Sequence, residues 1–375
     1  SSVYACVPPT HFITWNMPSQ IQENWEAYQD KETGGQTLNM YGYGDGGSGC
    51  TEEMLEMIRR FDKVSVMPKI EVTGGDAFLH KNLKDNTNLA TWDGELYLEM
   101  HRGTFTTKTF TKSNLKKANR TLEFKLRETE LRAALASLTG TSYPSEELTE
   151  CYKKFLLNQF HDILPGSHIH PVYEDAMNDY RSVSERLDAM LALTAGNEYF
   201  NSLNFTRSSI TFIEDENGAI TRHGVKGFWS IPTLAGLSTG TVAALPSKEN
   251  WLSTEFCDKC DCLVLETPYY RAKLSSDGSF VSLYDKELDR EWVKEGCGFN
   301  KLHLYADNPG VYDAWDILPN YKDVQVALNV DKPLALVSSD GSSAEFAVTF
   351  TTEKSTWKMI LRFFADSRAI EVENV

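Results

Sequence analysis

In the run Asn158-Gln159-Phe160-His161-Asp162-Ile163-Leu164-Pro165-Gly166-Ser167, an imidazole able to bind a metal stands beside a carboxylate. Neutral imidazole and carboxylate are both ordinary ligands of divalent cations. The pair also has a bland reading, a helix-terminal histidine facing the dipole and an aspartate closing a turn. A second grouping frames one carboxylate with glycines, Gly44-Asp45-Gly46-Gly47-Ser48-Gly49. Small neighbours let a ligand and backbone come close to that carboxylate and permit positive φ. The bland reading there is an Asp-Gly turn. A phosphate cradle is disfavoured, because the Gly-Lys-Ser/Thr of a P-loop is absent. A third grouping is Cys257-Asp258-Lys259-Cys260-Asp261-Cys262. It reads as half a structural zinc site or as incidental thiols in a loop. The second is favoured, because a tetrahedral zinc needs four ligands and no further Cys or His pair lies near in sequence.

These residues must be positioned by regular elements. Leu148, Tyr152, Phe155, Leu156 and Gln159 fall at i, i+4, i+7, i+8 and i+11, one face of a helix that starts near Pro144 and must stop before Pro165. His161 and Asp162 therefore emerge where a helix opens into a loop. Residues 1–112 are expected to run helix (20–30), strand (38–41), glycine loop, helix (51–61, capped by Thr51), strand (64–72) and helix (76–83). That order is α/β, and in such folds the loops after strands carry chemistry, which places Asp45 at the productive edge. Residues 113–199 carry three amphipathic stripes, the first through Leu115, Ala118, Leu122 and Leu126 and the third through Tyr173, Met177, Tyr180, Leu187 and Leu191. Short breaks between them predict an antiparallel three-helix bundle. From residue 200 the period changes to two, with Asp-Gly turns at Asp277-Gly278 and Asp340-Gly341 between alternating runs. Residues 200–375 therefore predict an antiparallel β-sandwich. The expected class is a multidomain α/β + α + β chain.

The chain has 375 residues, 41% of them hydrophobic, and a formal charge of −16. Two or three domains fit that length. The acidic balance argues against nucleic acid, whose phosphates demand a basic surface, and against an anionic membrane surface. No apolar run is long enough to span a bilayer. Seven scattered cysteines suit a reducing compartment, so a cytoplasmic location is expected. The sequons at Asn119 and Asn204 read as chance, since the first lies inside a predicted helix. A homo-oligomer stays open.

The histidine run and the glycine-framed aspartate, together with Gly94-Glu95-Leu96-Tyr97-Leu98-Glu99-Met100-His101-Arg102-Gly103-Thr104-Phe105-Thr106, resemble three motifs of the glycoside hydrolase family 38 α-mannosidases, in the same order. The wording is closest to the bacterial and cytosolic branch. The likeness continues more thinly through residues 201–205 and 312–317. It implies a retaining α-mannosidase that removes terminal α-D-mannose from a mannose-containing oligosaccharide with the help of one zinc ion (Zn2+). By resemblance His161 is a zinc ligand and Asp45 the general acid/base. Asp162 accepts hydrogen bonds from sugar hydroxyls, and His101 faces the substrate. Trp315 offers a flat face to a sugar, though a core tryptophan is an equal reading. Asp313 and Asp316 either meet the site or cap a loop.

Glycoside cleavage needs a carboxylic acid and, with retention, a carboxylate nucleophile about 5–5.5 Å away. Family members carry a His-x-Asp metal pair near the start of the catalytic domain and a second Asp as nucleophile, and no His-x-Asp precedes Asp45 here. The resemblance thus implies an internal fragment, inactive alone. It would hold the C-terminal part of the catalytic domain (1–112), the helices carrying the zinc histidine (113–199) and a β-sandwich incomplete at its C-terminus (200–375). The remaining zinc ligands are expected upstream of residue 1. The alternative is a non-catalytic carbohydrate-binding or interaction module made of a helical bundle and a β-sandwich.

Overall fold

The computed structural model describes the chain except residues 1–2, 11–12, 45–48, 62, 84–87, 96–99 and 195–198. It divides into two compact units, residues 1–97 and 98–375. It combines helices with antiparallel sheets.

In the first unit, Pro18 opens α1 (Pro18–Ala27), whose free N-terminal amide at Met17 is met by Gln20 Oε1 at 3.2 Å. The Thr51 hydroxyl accepts the Met54 N–H at 3.3 Å at the start of α2 (Glu52–Phe61). Glu52 and Glu53 stand at its positive end and Arg59 and Arg60 at its negative end. The helix expected over 76–83 is a short α-turn, Gly75–Phe78, that widens into a π-turn over Leu79–Leu83.

The two strands expected here do not form. Among the described residues of this unit the only bridge is Tyr43 with Gly49. Residues 38–41 have other partners. Asn24 Nδ2 donates to the Leu38 carbonyl at 3.4 Å, and Thr14 Oγ1 donates to the Met40 carbonyl at 2.9 Å. Buried side chains thus take the acceptors that a neighbouring strand would have used. Residues 64–72 begin in turns, with Val64 N–H on Phe61 O and Met67 N–H on Val64 O, and Val66 is 88% exposed.

The second unit opens on three helices, α3 (Phe110–Ser137), α4 (Ser145–Leu157) and α5 (His170–Thr194). Thr109 caps α3 by accepting the Lys112 N–H at 3.3 Å. Leu115, Leu122 and Leu126 of α3, Leu148, Cys151 and Phe155 of α4, and Tyr180, Val183 and Leu187 of α5 form one apolar core. Each fully buried Leu or Phe contributes about 1.5–3 kcal/mol. Asn119 lies in this stripe, 8% exposed, with its Nδ2 donating to Tyr180 OH at 3.2 Å. Its sequon is therefore closed to a glycan.

The β portion contains a three-stranded sheet in the order β1 (Thr211–Glu214), β3 (Val225–Ser230), β2 (Ile220–Arg222). A five-stranded antiparallel meander runs β4 (Ser253–Cys257), β5 (Cys262–Glu266), β6 (Tyr270–Leu274), β7 (Phe280–Asp285), β8 (Arg290–Glu291). A four-stranded meander follows, β9 (Asn329–Ser339), β10 (Ser343–Thr351), β11 (Thr356–Phe364), β12 (Glu371–Asn374). Asp277-Gly278 and Asp340-Gly341 turn the chain where expected, and Gly278 takes φ 77°.

The inner strands of the four-stranded sheet, β10 and β11, are buried on both faces, whereas β9 is largely exposed. Met359, Leu361 and Phe363 share a core with Leu265, Ala272, Leu274 and Phe280 of the five-stranded sheet. On the other face, Phe364 packs edge-on against Trp229 of β3, ring centroids 4.9 Å apart. Arg362 lies on that second face. In register it stands between Glu345 and Glu371, and its guanidinium reaches Glu345 at 2.9 Å, Glu371 at 2.9 Å and Glu373 at 2.5 Å. Burial alone would raise the Glu373 carboxyl, but the bond to Arg362 and the charges of Arg362, Arg222 and His223 hold it below the usual range.

Arg362→Met should cost about 1–3 kcal/mol, because it removes the cation from three partly buried carboxylates of which Glu371 and Glu373 keep Arg222. A depressed carboxylate stabilises the fold above its unfolded pKa of about 4.3 and loses that contribution as pH falls through the folded value. The gap between wild type and variant should therefore narrow below about pH 4. Native-state hydrogen exchange of residues 356–364 reads both effects. An unchanged opening free energy at pH 7 would refute the argument.

Candidate functional site

Lys112 and Lys116 lie one turn apart on one side of α3, and Lys108 lies just before its N-cap. Each donates to backbone carbonyls of other segments. Lys112 Nζ donates to Gly103 O at 2.9 Å, to Ala314 O at 2.7 Å and to Thr106 Oγ1 at 3.5 Å. Lys116 Nζ donates to Thr104 O and, at 2.7 Å, to Thr106 O. Lys108 Nζ donates to Asp316 O at 2.8 Å and pairs with Asp307 at 2.9 Å. Lys112 is fully buried. Burial, with the like charges of Lys116 and Lys108, lowers its ammonium to about 8, while Asp313 opposes the shift.

The lysines hold residues 101–106 against residues 312–316. Gly103 makes the approach feasible, since a Cβ there would stand 2.7 Å from the Trp315 carbonyl carbon. Gly166, at φ 83°, lays the turn after His161 on the same lysine, and a Cβ there would lie 3.4 Å from Lys112 Cβ. The 312–316 segment is the tip of a long loop whose base is pinched by a two-stranded ladder, Leu304–Tyr305 with Gln325–Val326. Asp307 ties the loop internally by accepting the Leu318 N–H at 3.1 Å.

This packing gathers residues that are far apart in sequence. His101, at φ 57°, donates its backbone N–H to Asp316 Oδ1 at 3.0 Å, and its ring Nδ1 lies 3.0 Å from the same oxygen. When Nδ1 carries the proton, Nε2 is the free acceptor. The Trp315 ring meets His101 edge-on at 5.1 Å between centroids and His161 edge-on at 6.0 Å. Phe160 lies 4.2 Å from the His161 ring. His161 Nε2 is 3.5 Å from Asp162 Oδ2, and Asp162 Oδ1 accepts the Ser167 hydroxyl at 2.9 Å. The His161 side chain is 67% exposed and that of Asp162 45%, so both face solvent. An aromatic face flanked by two imidazoles, with a carboxylate at its edge, can stack a sugar ring and bond its hydroxyls.

His161, Asp162, His101, Trp315 and Asp316 are thus neighbours. Asp313 is exposed and acts on Lys112 through its charge. Asp45 and Glu99 lie outside the described residues. Among the described residues no three His, Cys, Asp or Glu side chains lie close enough to hold a metal ion. That donor set offers zinc one exposed imidazole and an adjacent carboxylate, which is short of a tetrahedral site. Two cavities of about 410 and 510 Å3 lie instead around Leu302 and Phe350 and around Arg222 and Trp229. Sequence reasoning missed Lys112. The available signal was a cation in phase with the apolar stripe, at Lys112, Leu115, Asn119, Leu122 and Leu126.

Comparison with known proteins gives three matches along the chain. Residues 4–95 match the glycosyl hydrolases family 38 N-terminal domain, residues 99–196 the alpha mannosidase middle domain, and residues 265–375 the glycosyl hydrolases family 38 C-terminal domain. The chain is 29% identical over 325 residues to mouse alpha-mannosidase 2C1, covering 81% of this chain and 30% of that protein. It is 30% identical over 307 residues to the human alpha-mannosidase 2C1, covering 77% and 28%, and 29% identical over 335 residues to a Saccharomyces cerevisiae alpha-mannosidase, covering 80% and 28%. The chain therefore spans less than a third of these relatives. A crystal structure of an alpha-mannosidase from Enterococcus faecalis superposes with TM-score 0.56 over 90% of this chain and 49% of that one. At 11% identity that likeness concerns the fold alone.

Lys112→Met should free the 101–106 and 312–316 segments from each other. The buried Gly103 carbonyl would lose its donor at about 1–3 kcal/mol, and the partly buried Ala314 carbonyl would lose the same donor. Exchange of the Thr104, Thr106, Trp315 and Asp316 amides, all hydrogen-bonded in local turns, should accelerate by about tenfold or more, while the core of α3 keeps its protection. Acceleration spread over all of α3 would make Lys112 a general stability residue instead.

Proposed function

The chain belongs to glycoside hydrolase family 38, and we propose that it forms part of an α-mannosidase that hydrolyses terminal non-reducing α-D-mannose from mannose-containing oligosaccharides. We read the reaction as retaining and zinc-dependent. The observation that carries this reading is the convergence of His101, His161, Asp162 and Trp315, three segments distant in sequence, on one half-open surface. In support stand the family matches along the chain, in N-terminal, middle and C-terminal order. We take the three helices as the antiparallel bundle and the sheets as the β-sandwich of that architecture. Seven free thiols support a cytoplasmic setting.

The roles follow from the chemistry of each group. His161 is one zinc ligand, and the metal supplies Lewis-acid polarisation of sugar hydroxyls when bound. Its other donors are not found among the described residues. Asp162 accepts a hydroxyl hydrogen bond through Oδ2, while Ser167 holds Oδ1. Trp315 stacks on the sugar face, and Asp316 turns His101 so that Nε2 meets the substrate. Asp45 holds the proton for the leaving oxygen and later takes one from water.

His161→Ala in the intact enzyme should remove bound zinc and lower turnover by several orders of magnitude together. Full metal occupancy with normal turnover would make His161 structural. A protein that binds mannosides through Trp315 yet never turns them over would point to the non-catalytic carbohydrate-binding module.

Asp45→Ala should be read on two leaving groups. A dinitrophenyl leaving group needs little protonation and a mannosyl one needs much, so the variant should lose far more rate on a mannobiose than on the aryl mannoside. It should keep its zinc. Equal losses on both substrates, with the fold intact, would move the acid role to another carboxylate such as Glu95 or Glu99.

A further inference from the structure

The cysteine hairpin stands apart from the site just described. Cys257 ends β4 and Cys262 begins β5, and the two are paired in register across a four-residue loop. β4 is the edge strand of its sheet, so the hairpin tip projects to solvent, with residues 258–261 exposed. Within the loop the Cys260 N–H donates to the Cys257 carbonyl at 3.2 Å. Such a hydrogen-bonded turn brings its end Cα atoms within about 7 Å, inside the range a disulfide bridges. The Cys260 thiol folds back over the same turn, its Sγ 3.7 Å from the Cys257 carbonyl oxygen. Asp261 takes φ 49°, which returns the chain to β5. Cys262 is 5% exposed, and its thiol donates to the Cys260 carbonyl at 2.9 Å.

We propose that Cys257 and Cys260 form a dithiol site that reacts with small-molecule disulfides of the glutathione class and closes an intramolecular disulfide, while the buried Cys262 stays reduced.

The thiols also differ in character. The Cys260 thiol hydrogen-bonds the Cys257 sulfur and, with backbone N–H groups and the Lys273 charge, lowers the Cys257 thiol. The same bond, seen from the other side, pushes Cys260 up to about 11. Cys257 is therefore the attacking thiolate and Cys260 the resolving thiol. In the first step the Cys257 thiolate attacks one sulfur of the small disulfide. An S–S bond forms to Cys257, the original S–S bond breaks, and one thiolate leaves. In the second step Cys260 loses its proton to solvent and attacks the Cys257 sulfur. The protein S–S bond forms and the second thiolate leaves. Two protein thiols are oxidised and one small disulfide is reduced to two thiols.

The sequence supplies its own readout. Cleavage before aspartate cuts ahead of Asp258 and Asp261 and places Cys257, Cys260 and Cys262 on three separate peptides. The purified chain, treated with glutathione disulfide and digested without reductant, should yield the Cys257 peptide joined to the Cys260 peptide, with Cys262 still alkylatable. Cys260→Ser should stop at the first step and accumulate glutathione on Cys257. Cys257→Ser should abolish the cross-link. A cross-link through Cys262, or glutathione adducts on the wild-type chain with no loss of two hydrogens, would overturn the proposal. So would Cys260→Ser leaving Cys257 unmodified.

Discussion

One ammonium group holds together what the chain keeps far apart. Lys112 is buried, and its three donors go to Gly103, Ala314 and Thr106 rather than to a carboxylate. Carbonyl oxygens offset only part of the cost of removing a charge from water, and the lowered ammonium records the remainder. A shorter apolar residue would pack into α3 more cheaply. It would leave the Gly103 and Ala314 carbonyls without this donor. The lysine is therefore better understood as an organiser of two loops than as a source of helix stability.

The surrounding charges follow the same logic. Lys116 in the helix and Lys108 just before it extend the contact to further carbonyls of the same two segments, Thr106 and Asp316. Asp307 is drawn upward by burial, yet the Lys108 bond and the Leu318 amide hold it below the usual carboxylate range. It can thus stay ionised while it ties Lys108 to the loop. The chain as a whole carries −16, so three lysines at and just before the start of α3 are a local inversion of its charge. They satisfy backbone dipoles of the loops that carry His101 and Trp315, and leave the exposed His161–Asp162 pair to face solvent.

Much of the scaffold was legible in the sequence because local signals and tertiary burial agree there. The stripes of α4 and α5 and the hairpins at Asp277-Gly278 and Asp340-Gly341 form as patterned. The strands expected at 38–41 and 64–72 do not. In the first case Thr14 and Asn24 supply hydrogen bonds from outside the segment, which a local pattern cannot reveal. The run Trp357-Lys358-Met359-Ile360-Leu361-Arg362-Phe363-Phe364 carried a further signal that alternation obscured. Trp357, Met359, Leu361 and Phe363 make one apolar face, and Ile360 and Phe364 add apolar side chains to the other, where Arg362 is buried among carboxylates. The site was legible only as separate pieces. Nothing local to His161 announces that Trp315 will lie beside it.

The pieces meet because the β portion sends one long loop back to the helices. A loop of that length is costly to order by itself, since every residue gives up backbone freedom of about 1–2 kcal/mol. Three constraints offset that cost: the ladder at its base, Asp307 inside it, and the lysine contacts at its tip. The tip carries both Trp315 and Asp316. Its placement therefore sets the aromatic face between the two histidines and also the orientation of His101, whose ring and backbone N–H share one Asp316 oxygen. A displacement of the tip would move the stacking surface and the imidazole in concert. Precision at this surface thus depends less on the residues that would touch a sugar than on the lysine-to-carbonyl bonds behind them.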